Sequence, residues 1–393
     1  MADRSFDLVL FGATGFTGGL TAEYLARHAP EGCRWALAGR NQAKLESVRE
    51  RLADIDEQLA KLPLLQADVT DPASLAAVAS SARVVITTVG PYLQHGEPLV
   101  AACAEAGTDY VDLTGEAEFV DQMYLKHHER AVATGSRIVH ACGFDSIPHD
   151  LGARFTVLQL PEGVPLTVRG MVRAGGTFSG GTFHSAITAM SRGRQMKQAS
   201  SQRRSIEPRA EGRRVKVVAK RPHRDTGTGH WLVPLPTVDP LVVKRSAAAL
   251  ERYGPDFEYG HYAAVKRLPV VVGSGVAVGA LAAAAQVAPL RNLLLGRIKQ
   301  GEGPDEQRRA RSWFTVRFVG EGGGRKVVTE VAGGDPGYGE TSKMLAESAL
   351  CLAFDDNPAT AGQVTTAVAM GEHLTERLIG AGLTFRVLET TND

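Results

Sequence analysis

The stretch Val9-Leu10-Phe11-Gly12-Ala13-Thr14-Gly15-Phe16-Thr17-Gly18 decides the fold, because it joins an apolar run to three glycines spaced three residues apart. The apolar run, residues 6 to 11, is typical of a short buried strand, and residues 20 to 26 are typical of a helix. A strand, a glycine turn and a helix in this order form the phosphate-binding corner of a dinucleotide-binding fold.

Each glycine of this corner has its own task. Gly12 allows the sharp turn, Gly15 lets backbone N–H groups approach a pyrophosphate, and Gly18 lets the helix pack close to the strand. The positive end of the helix dipole then faces the phosphates. The cofactor-binding residues predicted here are Gly12, Thr14, Gly15, Phe16, Thr17 and Gly18.

Length and composition place further bounds on the protein. A chain of 393 residues has room for two domains, and its net charge of +1 gives no reason to expect nucleic-acid binding. The N-terminal residues carry no apolar signal region. Four widely separated cysteines are typical of reduced thiols, so we expect a cytoplasmic protein. They are Cys33, Cys103, Cys142 and Cys351.

Strand and helix patterns alternate through residues 1–150, which predicts an α/β fold with a parallel sheet of the Rossmann type. The second strand ends at Arg40, where an NAD-selective protein would carry an acidic residue. A guanidinium suits the 2′-phosphate of NADP(H), and Asn41 and Lys44 follow closely. We therefore predict NADP(H) as the cofactor; the alternative is that Arg40 is only a solvated residue at a helix start.

Later strands end in further candidates. Asp68 and Val69 follow the third strand and suit the adenine side, although Asp68 also suits a helix cap. Gly90 and Pro91 follow the fourth strand, where the chain should pass the nicotinamide. The catalytic candidates are Tyr92 and Asp145, which follow the fourth and sixth strands; the alternative for each is a structural role, exposed or in the core. No zinc-type ligand spacing is visible, so we expect no metal site.

Several further stretches resemble the saccharopine dehydrogenase-like oxidoreductases, and within them the actinobacterial trans-acting enoyl reductases. The stretches that carry the resemblance are residues 12–16, 37–40, 87–92, 106–110, 112–116, 141–148, 178–182, 243–246 and 367–371. The resemblance implies an NADP-type Rossmann domain, a second mixed α+β domain and reduction of polyketide-derived lipid intermediates. It supplies no established catalytic residue. The chain departs from the family pattern at two places. His149 stands where a small serine is expected, and residues 195–230 are shorter and more basic than the corresponding stretch of the family.

We divide the chain into a Rossmann domain (1–150), an α+β substrate and dimerisation domain (151–336) and C-terminal helices (337–393). The resemblance implies that these helices, the last expected over about 358–379, pack near the first domain. A homo-oligomer is also expected.

Three stretches of the second domain stand out. A glycine-rich loop, residues 175–182, suits an anion or a close-packed substrate chain, or is simply flexible. Residues 192–224 carry a local charge of +10, which is typical of a solvated face or mobile loop, or of a docking site for an acidic carrier protein or an anionic lipid surface. Residues 268–290 contain no charged side chain. We expect a buried or interface helix there in preference to one that touches a membrane.

These observations favour NADPH-dependent reduction of a carbon–carbon double bond on an acyl chain, free or bound to a carrier protein. Two alternatives stay open: a saccharopine-type amino-acid dehydrogenase, and an NADP(H)-binding sensor or scaffold without turnover. We expect the nicotinamide near Gly90, Pro91 and Asp145. We expect the acyl chain to run towards Gly180 and the apolar helix after Leu268. A location at the inner face of the plasma membrane, through peripheral contact, also stays open.

Overall fold

The computed structural model describes residues 4–176, 180–297 and 303–392; the side chains of residues 180–182 and 297 are outside the description. The glycine-rich loop predicted over 175–182 therefore lies partly outside the described residues. Within them, the chain forms both strands and helices throughout.

The described strands are β1 (Phe6–Phe11), β2 (Trp35–Gly39), β3 (Leu64–Gln66), β4 (Ala82–Thr87), β5 (Asp109–Asp112), β6 (Arg137–Val139), β7 (Leu166–Gly175), β8 (Arg214–Val217), β9 (His223–Arg224), β10 (Trp231–Pro234), β11 (Asp256–Val265), β12 (Trp313–Gly322), β13 (Arg325–Gly333), β14 (Gly362–Val364) and β15 (Thr384–Asn392).

The described α-helices are α1 (Phe16–His28), α2 (Gln42–Ala53), α3 (Pro72–Ser81), α4 (Tyr92–His95), α5 (Glu97–Ala106), α6 (Ala117–Thr134), α7 (Ile147–Val157), α8 (Gly180–Ser191), α9 (Gly193–Ile206), α10 (Asp239–Ala249), α11 (Leu268–Gln286), α12 (Ala288–Arg297), α13 (Glu306–Arg311), α14 (Gly339–Phe354), α15 (Thr366–Ala369) and α16 (Gly371–Gly380). Short 3₁₀ turns lie at Glu57–Lys61 and Glu251–Tyr253.

The first sheet has seven strands in the order β14-β6-β5-β4-β1-β2-β3, and every pair is parallel. The sheet is covered by helices, so β1 and β2 are almost wholly buried apolar runs. The strand order reverses between β1 and β4, which is where such sheets bind ligands. The predicted parallel Rossmann sheet is confirmed.

The second sheet is mixed, with the order β15-β13-β12-β7-β11-β10-β9 and β8 paired to β11. β7 and β11 run parallel, whereas β12 and β13 form an antiparallel hairpin. Helix α7 packs on this sheet, and Gly152 permits the approach because a Cβ there would lie 2.4 Å from Cε2 of Phe318. The predicted second α+β region is also confirmed.

Two compact units result. The first comprises residues 4–144, residue 303 and residues 338–378; the second comprises residues 145–297, 304–337 and 379–392. Within the first unit, α14 packs on α1 and on the parallel sheet.

The C-terminal region differs from the expectation of helices alone. Residues 358–379 contain the short strand β14 before α15 and α16, and Gly362 turns into it with a φ of +86°. The final residues form β15, which pairs with β13 in the second sheet. The residues of β15 form a strand because they pair with the edge of the second sheet at β13. Local sequence does not encode this pairing.

The basic segment, residues 192–224, is folded and is not a mobile loop. It forms α9, β8 and β9. Arg213 donates hydrogen bonds to the carbonyl oxygens of Ala247 and Gly254, each at 2.9 Å. Arg214 pairs with Asp256 across neighbouring strands. Part of the positive charge therefore stabilises the second unit.

The uncharged stretch forms α11 and α12, and most of α11 is exposed. It is the one helix in the described ranges that is long and apolar enough to cross a membrane. The expectation of a helix buried within the chain is therefore wrong, since only Val271 and Ala285 of α11 are buried; the alternative expectation of an interface helix stays a prediction.

Candidate functional site

The glycine corner of the first unit has the tight geometry that its sequence predicts. Gly12 has a φ of +94°, which a residue with a side chain rarely adopts, and a Cβ there would lie 2.7 Å from Cγ2 of Val89. A Cβ on Gly18 would lie 2.2 Å from the carbonyl oxygen of Gly12. Glycine at these two positions therefore lets α1 begin directly against the end of β1.

Gly15 differs from these two glycines. A Cβ there would meet only the carbonyl oxygen of Gly12, at an ordinary 3.5 Å, so packing within the chain does not require glycine. Gly15 is exposed, as is Thr14 beside it. An open backbone at this point suits the close approach of a pyrophosphate, which is the role predicted for Gly15.

The start of α1 also lacks the capping that its neighbours have. Asn41 caps α2 by accepting from the amide of Lys44 at 3.0 Å, and Asp71 caps α3. No side chain caps α1 at Gly15, and its first turn holds no acidic residue. The amides of a first helical turn have no partner within the helix, so this terminus is suited to an anion.

Arg40 lies directly after β2, and its side chain is 75% exposed. Its nearest acidic partner is Asp68, at 3.9 Å from Nε to Oδ2. A weak, solvated contact of this length leaves the guanidinium accessible to a phosphate. The exposed Lys44 is in the next helix, α2, whereas the side chain of Asn41 is occupied as the cap of that helix.

Asp68 has a structural role in its own loop. Its Oδ1 accepts from the amide of Thr70 at 2.8 Å and from its hydroxyl at 2.7 Å. These hydrogen bonds, with a smaller contribution from the charge of Arg40, hold the pKa of Asp68 below its usual value. Val69 is half-buried and packs against the core. The predicted adenine contact of Asp68 and Val69 stays a prediction.

Gly90 and Pro91 follow β4, next to β1 in the sheet and thus at the point where the strand order reverses. Gly90 is exposed, and Pro91 precedes α4. The loop is tied to the glycine corner, because the hydroxyl of Thr88 donates to the carbonyl oxygen of Gly12 at 3.2 Å. The structure therefore brings Gly90, Pro91 and the glycine corner to the same edge of the first sheet.

Tyr92, a catalytic candidate, is buried in the first unit. Its hydroxyl donates to the carbonyl oxygen of Thr87 and accepts from the amide of Leu113, each at 3.2 Å. Burial, assisted by the charge of Asp112, raises the pKa of Tyr92 well above its usual value. The one hydroxyl proton is thus held by the backbone, which gives Tyr92 a structural role here; a catalytic role stays a prediction.

Asp145, the other candidate, belongs to the second unit and lies just before α7. Burial raises the pKa of its carboxyl to about 7, the charge of Asp239 raises it further, and His149 acts in the opposite direction. A carboxyl with such a pKa holds a proton in much of its population at neutral pH. General acids are commonly tuned to this range.

The structure adds a buried cluster that the sequence analysis did not assemble: His149, Asp239 and His261. Nδ1 of His149 lies 2.8 Å from Oδ1 of Asp239, and Nε2 of His261 lies 3.8 Å from Oδ2. The hydroxyl of Tyr259 and Nδ1 of His261 form a hydrogen bond of 3.2 Å. Asp239 and His149 are the two charged groups of this cluster that act on Asp145.

The pKa values of Asp239 and His261 are shifted by burial and by the charges around them. Burial acts to raise the pKa of Asp239, but His149 and His261 outweigh it, so its pKa lies below the usual range. Burial lowers the pKa of His261 to about 4, against the attraction of Asp239. At neutral pH the cluster therefore holds a carboxylate beside a neutral imidazole, next to a carboxyl that is partly protonated.

The same three residues have ligand types that suit a divalent cation, and their ligand atoms all lie within 4.8 Å of one another. The short contact between His149 and Asp239 equally suits a hydrogen-bonded acid–base pair. The absence of a metal site stays a prediction. Of the three residues in this cluster, only His149 stood out in the sequence, because it departs from the family pattern.

Comparisons with known proteins agree with this geometry. The family model described as the saccharopine dehydrogenase NADP binding domain matches residues 8–139. This range holds the glycine corner, Arg40 and the loop after β4. NADP(H) is therefore the cofactor, and the residues around the uncapped start of α1 fit it.

Relatives match over nearly the whole chain. A protein of Mycobacterium tuberculosis named as a trans-acting enoyl reductase is 39% identical over 421 residues, which cover 99% of this chain and 98% of the relative. The trans-acting enoyl reductase of Mycobacterium bovis is 36% identical, with 97% of each chain covered.

Among solved structures, apo saccharopine dehydrogenase (L-Glu forming) from Saccharomyces cerevisiae shares the fold, with a TM-score of 0.57. It is 12% identical to this chain, and the alignment covers 98% of this chain and all of that one. The chain is an NADP-dependent oxidoreductase, and it belongs to the saccharopine dehydrogenase-like family of the trans-acting enoyl reductases.

Proposed function

We propose that this protein reduces the carbon–carbon double bond of an α,β-unsaturated acyl thioester with NADPH, on a polyketide-type chain that a separate synthase supplies. The observation that carries the proposal is the full-length similarity to trans-acting enoyl reductases. The open glycine corner and the exposed Arg40 support the nucleotide half of the reaction.

In this proposal the first unit holds the nucleotide. The first-turn amides of α1, which follow Gly15, bind the pyrophosphate, and Arg40 binds the 2′-phosphate. When bound, NADPH supplies a hydride for the β-carbon. The chain itself must then place a proton on the α-carbon, where the electrons of the former double bond collect.

We propose Asp145 as the source of that proton. Its raised pKa of about 7 keeps the carboxyl partly protonated at neutral pH. The O–H bond breaks as the new C–H bond forms at the α-carbon, which leaves a carboxylate. His149, which lies 2.8 Å from Asp239, is the neighbouring group whose charge acts on Asp145.

The charges of the second unit support an acyl substrate over one with several carboxylates. Arg169 pairs with Asp225 at 3.6 Å and with Glu321 at 3.5 Å. Arg317 pairs with Glu330 at 3.1 Å. Arginines that are already paired are poorly placed to bind the carboxylates of an amino acid such as saccharopine.

The proposal extends to glycolipid-type lipid biosynthesis, with the acyl chain bound to a carrier protein. Lys220, Arg221 and Arg224 are exposed at the β9 edge, so they suit an acidic carrier, unlike the paired Arg213 and Arg214.

We also propose that the protein lies in the cytoplasm, at the inner face of the plasma membrane, and forms a homo-oligomer. Its four free cysteines support the cytoplasm.

The reaction is tested with NADPH that carries deuterium at the transferred position of the nicotinamide. We expect deuterium at the β-carbon of an enoyl thioester, measured by mass spectrometry, with faster turnover for the carrier-bound substrate than for the free one. Turnover of amino-acid substrates alone would support the saccharopine-type alternative. NADPH binding without transfer to any substrate would support a sensor or scaffold.

The preference for NADPH is tested by Arg40→Asp. We expect NADPH binding to weaken by about tenfold or more, because the 2′-phosphate loses a cation and meets a carboxylate, while NADH binding changes little. Calorimetric titration measures both affinities. The matched control is Arg27→Gln, an exposed cation later in α1. Equal affinities for NADPH and NADH in the unmodified protein would contradict the assignment.

The proton-donor role is tested by Asp145→Asn. We expect kcat to fall by about 10² or more, and the unmodified enzyme to lose activity as pH rises above about 7, because only the protonated carboxyl can donate. Asp145→Glu should retain part of the rate, and its pH profile should be shifted relative to that of the unmodified enzyme. A pH profile for Asp145→Asn that matches the unmodified enzyme would exclude this role.

Folding provides an independent control for the same residue. The pKa of Asp145 is raised on folding, so its stabilising effect is complete below about pH 4 and is lost as pH rises through about 7. The stability of the unmodified protein relative to Asp145→Asn should therefore fall over this pH range. Urea unfolding measures the difference, with the exposed Glu162→Gln as a neutral control.

A further inference from the structure

The second unit carries an exposed apolar surface on α11 and the start of α12, which we call the α11 surface. Its most exposed large side chain is Val276, at 69%. The exposed apolar side chains of this surface are Leu268, Val270, Val272, Val276, Val278, Val287, Leu290 and Leu293. A contiguous set of this kind marks an interaction site.

The apolar side chains lie all around α11 and form no single stripe. With 100° between successive residues, Val270, Val272 and Val278 point in widely different directions, yet each is more than half exposed. On its inner side the helix packs against α8, and only Val271 and Ala285 are buried. A helix that is apolar on all sides needs apolar surroundings beyond those that this chain supplies.

The topology excludes a single membrane crossing. β11 ends at Val265 and runs parallel to β7, whereas β12 begins at Trp313, which pairs with Gly175 at the end of β7. The chain therefore leaves and re-enters the sheet at the same end of β7. A crossing would require a second spanning helix for the return.

No described helix can provide that return. α12 has ten residues, about 15 Å of helix, which is half the apolar thickness of a bilayer. α13 is shorter still, with six residues. Within the described residues, the α11 surface can therefore lie in the plane of a membrane interface but cannot span it.

The charges around the surface favour an anionic membrane over a second copy of the chain. Lys266 and Arg267 are exposed immediately before α11, and Arg291 lies in α12. The sequence contains no Asp or Glu between residues 266 and 301 or between 180 and 206. Anionic headgroups complement these cations, whereas a second copy would bring like charges together.

We propose that the α11 surface inserts in the plane of an anionic lipid bilayer and holds the enzyme at the membrane, with Lys266 and Arg267 at the headgroups. The proposal rests on the proposed location at a membrane and is independent of the reaction. If the unmodified protein turns over a soluble enoyl thioester but binds no vesicles, the membrane proposal fails while the proposed reaction stands.

The test is flotation of the full chain with vesicles of 70% phosphatidylcholine and 30% phosphatidylglycerol. We expect Val272→Asp/Val276→Asp to lower the partition coefficient by about tenfold or more, because two exposed valines become charged. Lys266→Gln/Arg267→Gln should lower it by about tenfold at low salt and less at high salt. Vesicles of phosphatidylcholine alone should bind the unmodified protein more weakly.

Matched controls alter equally exposed residues elsewhere. Ile206→Asp/Val387→Asp and Arg27→Gln/Lys61→Gln should bind vesicles like the unmodified protein. If no vesicle binds and Val272→Asp/Val276→Asp instead changes the mass in solution from dimer to monomer, the surface is an interface between copies and the proposal is overturned. Equal binding by all variants would also overturn it.

Depth measurements separate an in-plane helix from a spanning one. A fluorophore is attached to Val270→Cys, Val276→Cys or Val278→Cys in a Cys33→Ser background, since Cys33 is the one native cysteine that is not buried. Brominated lipids should quench all three positions at one shallow depth. A graded depth that reaches the bilayer centre would contradict in-plane insertion.

Discussion

The contact between Gly18 and the carbonyl oxygen of Gly12 is the constraint on which the first unit depends. Any side chain at Gly18 would lie 2.2 Å from that oxygen, so only glycine lets α1 start against the end of β1. The close start leaves the first turn of α1 uncapped at an exposed Gly15, beside the loop after β4. One steric requirement thus produces both the packing of the sheet and an anion site at its edge.

The second unit contains a buried charge, the carboxylate of Asp239. Asp239 stays ionised because His149 lies 2.8 Å away and His261 is close, and its charge in turn helps to keep a proton on Asp145. Paired groups tolerate burial that a lone carboxylate would not. Asp145 and His149, just before and within α7, are therefore held near the same buried carboxylate.

The sequence was sufficient for the parts that local chemistry determines. The strand–glycine–helix pattern predicted the Rossmann sheet, and Arg40 pointed to NADP(H). It could not assemble His149, Asp239 and His261, because ninety positions separate the first two and only folding brings them together. It also missed the strand β15, which depends on an edge of the second sheet, and the exposure of α11, which composition alone does not reveal.

Binding of the NADPH pyrophosphate at the uncapped first turn of α1 can be measured by amide hydrogen exchange. With saturating NADPH, amide exchange in residues 16–18 should slow by about tenfold or more relative to the free protein, because the first-turn amides gain phosphate partners. Unchanged exchange in this segment, at a concentration where calorimetry shows NADPH bound, would contradict it.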